Sequence, residues 1–148
     1  MMNGDLVGTQ LGKYQIQAEI GKGGMGIVYV GYDPTLARQV AVKVLAPHLV
    51  WESEFVERFL REARTAAQLK HAAIVTIYDI GQAGNWHYIV MEYLEGQTLA
   101  QIIYQQGPLP PDLAMSILYQ LADALDYAHR NGVVHRDVKP GNIMIAPS

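Results

Sequence analysis

Val133-Val134-His135-Arg136-Asp137-Val138-Lys139-Pro140-Gly141-Asn142 is the most informative stretch of this chain. It sets one candidate base (Asp137), one cation (Lys139) and one metal-seeking amide (Asn142) within six residues. That set suits phosphoryl transfer, in which a protein mainly positions groups and neutralises charge. A carboxylate orients the attacking hydroxyl, a lysine faces the transferring phosphoryl group, and an asparagine oxygen helps hold a magnesium ion. Val133-Val134 before the loop and Ile143-Met144-Ile145 after it read as short buried strands gripping a polar turn. A His-Arg-Asp triplet alone says little. Lys139 and Asn142 at these offsets turn it into a signal.

A second constellation lies far upstream. Ile20-Gly21-Lys22-Gly23-Gly24-Met25-Gly26-Ile27-Val28 carries Gly-x-Gly-x-x-Gly-x-Val, and Val40-Ala41-Val42-Lys43 follows it. Glycines let backbone N–H groups approach phosphate oxygens without a Cβ in the way. Lys43 supplies a point charge for the phosphates that are not transferred. The glycine pattern also occurs in dinucleotide-binding folds, where it joins a strand to a helix. Here Tyr14-Gln15-Ile16-Gln17-Ala18-Glu19-Ile20 alternates like a half-buried strand, and Ile27-Val28-Tyr29-Val30 shows no helical period. Strand, glycines, strand is a hairpin laid over phosphates, so the Rossmann reading loses.

With both motifs in order, the chain resembles the eukaryotic-type protein kinases over residues 11–145, in a bacterial-like form. The resemblance implies an α+β, protein kinase-like fold. Its N-lobe (about 11–91) would be a five-stranded antiparallel sheet with one αC helix. A hinge (about 92–97) and the first helices and catalytic loop of a truncated C-lobe (about 98–148) would follow, with 1–10 as a tail. It implies ATP and Mg2+ as cofactors and proteins bearing Ser or Thr as substrates. Asp137 and Lys139 would be catalytic and Asn142 a metal ligand. Ile20, Gly21, Gly23, Gly24, Gly26, Val28, Ala41, Lys43, Glu62, Met91, Glu92, Leu94 and Met144 would hold the nucleotide. Among these, Glu62 would pair with Lys43, Met91 would be the gatekeeper, and Glu92 and Leu94 would offer backbone groups to the adenine edge. Lys139 points to the serine/threonine branch. Gly141 stands where eukaryotic members commonly carry a glutamate, which in some of them helps read a basic substrate residue.

The segments between fit helices and turns. Residues 52–69 carry an apolar stripe (Phe55, Phe59, Ala63, Ala66, Ala67) with Ser53 as N-cap. Strands are expected at 74–81 and 86–92, joined by Ala83-Gly84-Asn85. Thr98 opens a short helix that Gly107-Pro108 ends. A long helix runs from Pro111 to His129, its buried stripe being Leu113, Ile117, Leu118, Leu121, Leu125 and Ala128, and Asn131-Gly132 stops it. His48, His71, His87 and His129 show no metal-ligand spacing, and the resemblance implies that His135 is a core residue.

Composition narrows the classes. The chain has 148 residues, half of them apolar, which is enough for a real core. A net charge of −3 leaves no basic footprint for nucleic acid or anionic membrane. There is no cysteine, hence no disulfide framework. No signal peptide and no membrane segment is legible, so a cytoplasmic location is expected. No Asp-Phe-Gly follows Asn142, so the chain is expected to be an N-terminal portion that is inactive alone. The alternatives are a non-catalytic kinase-like nucleotide-binding or interaction module and, less favoured, a small-molecule phosphotransferase.

Overall fold

Central strand β4 (Arg38–Leu45) explains the first half of the molecule. Val40 and Val42 are fully buried, and only Lys43 interrupts the apolar run Val40–Leu45. A strand covered on both faces must read this way. The structure is a computed structural model and describes residues 6–22, 26–135 and 138–146. It divides into two units, 1–68 with 75–93 and 69–74 with 94–148.

In the first unit β4 sits inside a six-stranded antiparallel sheet. The other strands are β1 (Gln10–Leu11), β2 (Tyr14–Lys22), β3 (Gly26–Asp33), β5 (Ile77–Ala83) and β6 (Trp86–Glu92), in the order β1-β2-β3-β4-β6-β5. The five expected strands are β2 to β6. The sixth, β1, is a two-residue addition folded back by a tight turn in which Leu11 pairs with Tyr14 and Gly12 takes φ 58°. Apolar burial drives it, because Leu6 and Leu11 join the core.

That core covers one sheet face with Tyr14, Ile16, Tyr29, Val42 and Tyr88. Tyr88 is accommodated by glycine: a Cβ at Gly81 would lie 2.5 Å from its ring. The opposite face carries Leu45 and Ile89, and helix α1 (Ser53–Ala66) packs Phe59 and Ala63 onto them. Ser53 is not the N-cap. Glu52 occupies that position, its carbonyl accepting the Phe55 and Val56 amides, and no side chain caps the helix. The preceding 3-10 turn Pro47–Leu49 sets the start, since Leu49 O accepts from Glu52 N.

The second unit holds α2 (Leu99–Gln106), α3 (Pro111–Arg130) and a ribbon of β7 (Gln97–Thr98) with β8 (Met144–Ile145). Thr98 opens α2 through a reciprocal capping box with Gln101 (3.1 and 2.8 Å), and Gly107 closes it at φ 80°. On α3 the covered face is Ala114, Ile117, Leu121, Ala124, Leu125 and Ala128. Leu113 and Leu118, expected in the stripe, are instead 46% and 55% exposed. Leu118 lies about 100° round the helix from Ile117, off the packed face.

Val133-Val134 forms no strand. Val133 N bonds Ala128 O and Gly132 N bonds His129 O, which is the paired closure of a helix around a left-handed glycine, here Gly132 at φ 81°. Val133 is thus consumed by the helix stop, and Val134 is 62% exposed. His135 is exposed too, not a core residue. His71 is an anchor: its Nδ1 accepts the Ala73 amide, leaving Nε2 to donate to Asp123 at 2.9 Å, while Tyr127 Oη accepts the Lys70 amide. Among the described residues no helix is long and apolar enough to cross a membrane.

Candidate functional site

Strand register brings Gly21, Val28, Ala41, Lys43 and Met91, five of the residues expected at the nucleotide, onto one sheet face. Val28 pairs with Lys43, Ala41 with both Val30 and Met91, and Gly21 with Val28. Directly opposed residues share a face. Gly21, Val28, Ala41, Lys43 and Met91 therefore line the face that carries Leu45 and Ile89, while Tyr29, Val42 and Val44 fill the other. Ala41 is buried, Val28, Lys43 and Met91 are half-buried, and Ile20 is 51% exposed.

The strands that flank the glycines pair antiparallel. β2 and β3 pair down to Lys22 opposite Ile27, and a strand starts directly at Gly26. Gly23 and Gly24 lie outside the described residues. Gly26 is required by close approach, since a Cβ there would meet Val44 O at 2.6 Å and Lys43 Cε at 3.7 Å. The third glycine and the lysine stem thus lie side by side. At Gly21 a Cβ would meet only the Val28 Cβ, at 4.0 Å.

Glu62 departs from its expected pairing. Its carboxylate bonds Arg58 one turn back at 3.5 Å, with the side chain 69% exposed, and Lys43 makes no ion pair among the described residues. The helix supplies the reason. Residue 62 is about 60° round from Phe59, at the edge of the buried stripe, and Arg58 competes for it on the exposed side. Glu92 commits its side chain to the Thr76 amide at 3.2 Å and its own amide to Thr76 O at 2.9 Å.

In the second unit, Met144 lies on β8, and Lys139 and Asn142 bound the 3-10 turn just before it. Thr98 pairs with Met144, Leu99 N donates to Ile143 O at 2.8 Å, and the 3-10 turn Pro140–Asn142 closes with Asn142 N on Lys139 O. Lys139 and Asn142 are exposed, and Met144 is half-buried. Leu94 makes no hydrogen bond among the described residues. Asp137 lies outside the described residues. Among those described, no group of three or more His, Asp or Glu side chains could hold a metal. Magnesium is usually held by one or two carboxylates plus substrate phosphates, and to such a set Asn142 could add an amide oxygen.

The protein kinase domain family matches residues 14–148. The chain belongs to that family. It is 48% identical over 141 residues to the serine/threonine-protein kinase PrkC of Bacillus subtilis, covering 95% of this chain and 22% of that protein. With PknB of Mycobacterium leprae it shares 46% over 138 residues, 90% of this chain and 22% of the relative. Among solved structures, the kinase domain of Mycobacterium tuberculosis PknI matches with TM-score 0.82 and 35% identity, over 94% of this chain and 56% of that one. The apo form of PpkA-294 matches with TM-score 0.87 and 26% identity, over 98% of this chain and 58% of that one. The chain thus spans about a fifth of the curated relatives' length (22%) and little over half of the solved domains (56–58%).

Sequence reasoning missed two elements of this kinase chain. One is the His71 anchor, whose signal was an acidic residue and a tyrosine four apart on α3 (Asp123, Tyr127). The other is the close packing at Gly96, which the sequence marked only as a glycine within the expected hinge.

Proposed function

We propose that this chain is the nucleotide-binding part of a cytoplasmic serine/threonine protein kinase, which transfers the γ-phosphoryl group of ATP to Ser and Thr hydroxyls of proteins. The observation that carries this reading is the shared sheet face of Val28, Ala41, Lys43 and Met91 beneath the hairpin that ends at Gly26. An apolar floor, one cation and a backbone edge cleared of side chains are what a purine and its phosphates require.

In this reading Ile20, Val28, Ala41 and Met144 cover the purine, and Met91 limits its depth. Glu92 C=O and Leu94 N–H meet its edge. Gly21, Gly23, Gly24 and Gly26 keep the phosphate side open, with Lys43 offsetting the charge of the non-transferred phosphates. Asp137 orients the substrate hydroxyl and takes its proton as the new oxygen–phosphorus bond forms and the bond to the β-phosphate oxygen breaks. Lys139 balances charge on the group in transit, and Asn142 contributes an oxygen to magnesium. Bound magnesium supplies charge neutralisation at the phosphates. Glu62 would have to leave Arg58 to reach Lys43.

The Glu62–Arg58 pair favours a second reading, a kinase-like module that binds nucleotide without catalysis. Magnesium-dependent labelling of a generic protein substrate separates the two. It would compare the 148-residue chain with a protein extended through the rest of a kinase domain, each with an Asp137→Asn control. The extended protein should label Ser and Thr, its Asp137→Asn form should lose nearly all turnover, and the 148-residue chain should be silent. Near-normal labelling by Asp137→Asn would show that the loop is misread.

A further inference from the structure

Gly96 lies two residues after Leu94 and opens the path into β7. Its φ is 135°, a region L side chains rarely adopt. A Cβ built there would overlap the carbonyl oxygen of Ile145 and come within 3.2 Å of its carbonyl carbon and 3.3 Å of Ala146 Cα. These are backbone atoms, which cannot swing aside as the tip of a side chain would. The other positive-φ glycines of this unit differ. Gly107 (φ 80°) and Gly132 (φ 81°) would place a Cβ in open space.

What Gly96 presses against matters. Ile145 pairs with Gln97, Met144 pairs with Thr98, and Leu99 N holds Ile143 O at 2.8 Å. Asn142 is the residue just before Ile143, in a turn closed on Lys139 O. Pushing Ile145 outward therefore pulls on a short, taut segment that ends at Asn142 and Lys139. On the other side the Thr98–Gln101 capping box fixes β7 to the start of α2, so β7 has little freedom to yield.

We propose that Gly96 is a positioning residue: its missing side chain lets β7 close onto β8 and so sets the place of Asn142 and Lys139. The inference rests on the reading of those two residues as metal- and phosphate-directed groups. The test compares Gly96→Ala with Gly107→Ala, which introduces a side chain at positive φ without meeting backbone. Two readouts are taken on the whole 148-residue chain. The first is amide hydrogen exchange at Leu99 and Asn142. The second is broadening of the Asn142 side-chain amide signal by Mn2+ with ATP.

Gly96→Ala should speed exchange at both amides by at least about fivefold, the factor implied by the lower bound of overpacking cost. It should also weaken the Mn2+ broadening, and Gly107→Ala should do neither. Unchanged exchange in Gly96→Ala, or equal acceleration in Gly107→Ala, would overturn the inference. So would undiminished broadening in Gly96→Ala. If the unsubstituted chain shows no broadening, the metal reading of Asn142 fails, and the exchange comparison still decides whether Gly96 positions the turn. If Gly96→Ala unfolds in buffer, both readouts are taken in trimethylamine oxide, which strengthens burial.

Discussion

Replacing Tyr14 by Phe removes one hydroxyl, and its effect should depend on pH in a calculable way. Tyr14 is 4% exposed and donates its hydroxyl proton to Asp79 at 2.9 Å. Burial, and then the Asp79 carboxylate that accepts this bond, raise its pKa well above the ordinary tyrosine value of 10.0. A raised folded-state pKa means the stabilisation is complete below the unfolded value and is lost as pH climbs toward the folded one. Above pH ~10 the unfolded chain releases the tyrosine proton and the folded chain keeps it, so stability falls by up to about 1.4 kcal/mol per pH unit. At neutral pH the hydroxyl should contribute about 1 kcal/mol, because Asp79 is exposed and can take water instead. Urea unfolding at pH 8 and 11 should then show Tyr14→Phe about 1 kcal/mol less stable at the lower pH and about 0.4 kcal/mol more stable at the higher, since near pH 11 the accumulated loss is roughly 1.4 kcal/mol. Tyr88, also raised by burial and Asp79, is unchanged in the variant and cancels in the difference. A gap that stays constant from pH 8 to pH 11 would refute the assignment of Tyr14 as a buried, proton-retaining donor.

Lys43→Met should leave folding intact and weaken ATP binding by about tenfold to a hundredfold, the range for losing one charged hydrogen bond; calorimetry that finds equal affinity would remove Lys43 from the site. Gly81→Ala, forced against the Tyr88 ring, should cost about 1–3 kcal/mol of stability and lower the thermal midpoint. On α3, Leu118→Glu should change stability by no more than about 0.5 kcal/mol while making the chain more soluble, whereas Leu121→Glu should disrupt the second unit. Circular dichroism and size-exclusion chromatography check both, and equal disruption by the two would mean that the packed face is misassigned.

Short-range rules were the legible part of this chain. The hairpin around Gly23–Gly24 could be read because strand patterns flank it on both sides, and the start of α2 because Thr98 and Gln101 spell a capping box. That Val28, Ala41 and Lys43 belong together was implied only by the family resemblance, and the strand register is what puts them on one face. What stayed hidden depends on competition between partners. Ser53 has the right chemistry for a cap, but the turn before it delivers Glu52 to that position. Leu113 and Leu118 are as apolar as Leu121, and only packing decides which side of α3 is covered. Glu62 has two cations to choose from, and spacing cannot tell that Arg58 holds it. Gly96 needs the carbonyl of Ile145, which is remote in sequence, before its lack of a side chain acquires meaning.

The short segment 69–74 belongs with α3 although its neighbours in sequence, α1 and β5, belong to the sheet. The polypeptide therefore passes between the two units at three points, near 68, 74 and 93. A molecule wired in this way cannot be divided by one cut. Cleavage near residue 93 would leave the six-stranded sheet still joined to α3 through the loop that His71, Asp123 and Tyr127 hold. Neither unit corresponds to a single uninterrupted stretch of chain, so neither can be inherited, expressed or exchanged as a simple cassette. Limited proteolysis should accordingly yield nicked chains that migrate together under native conditions and separate only on denaturation.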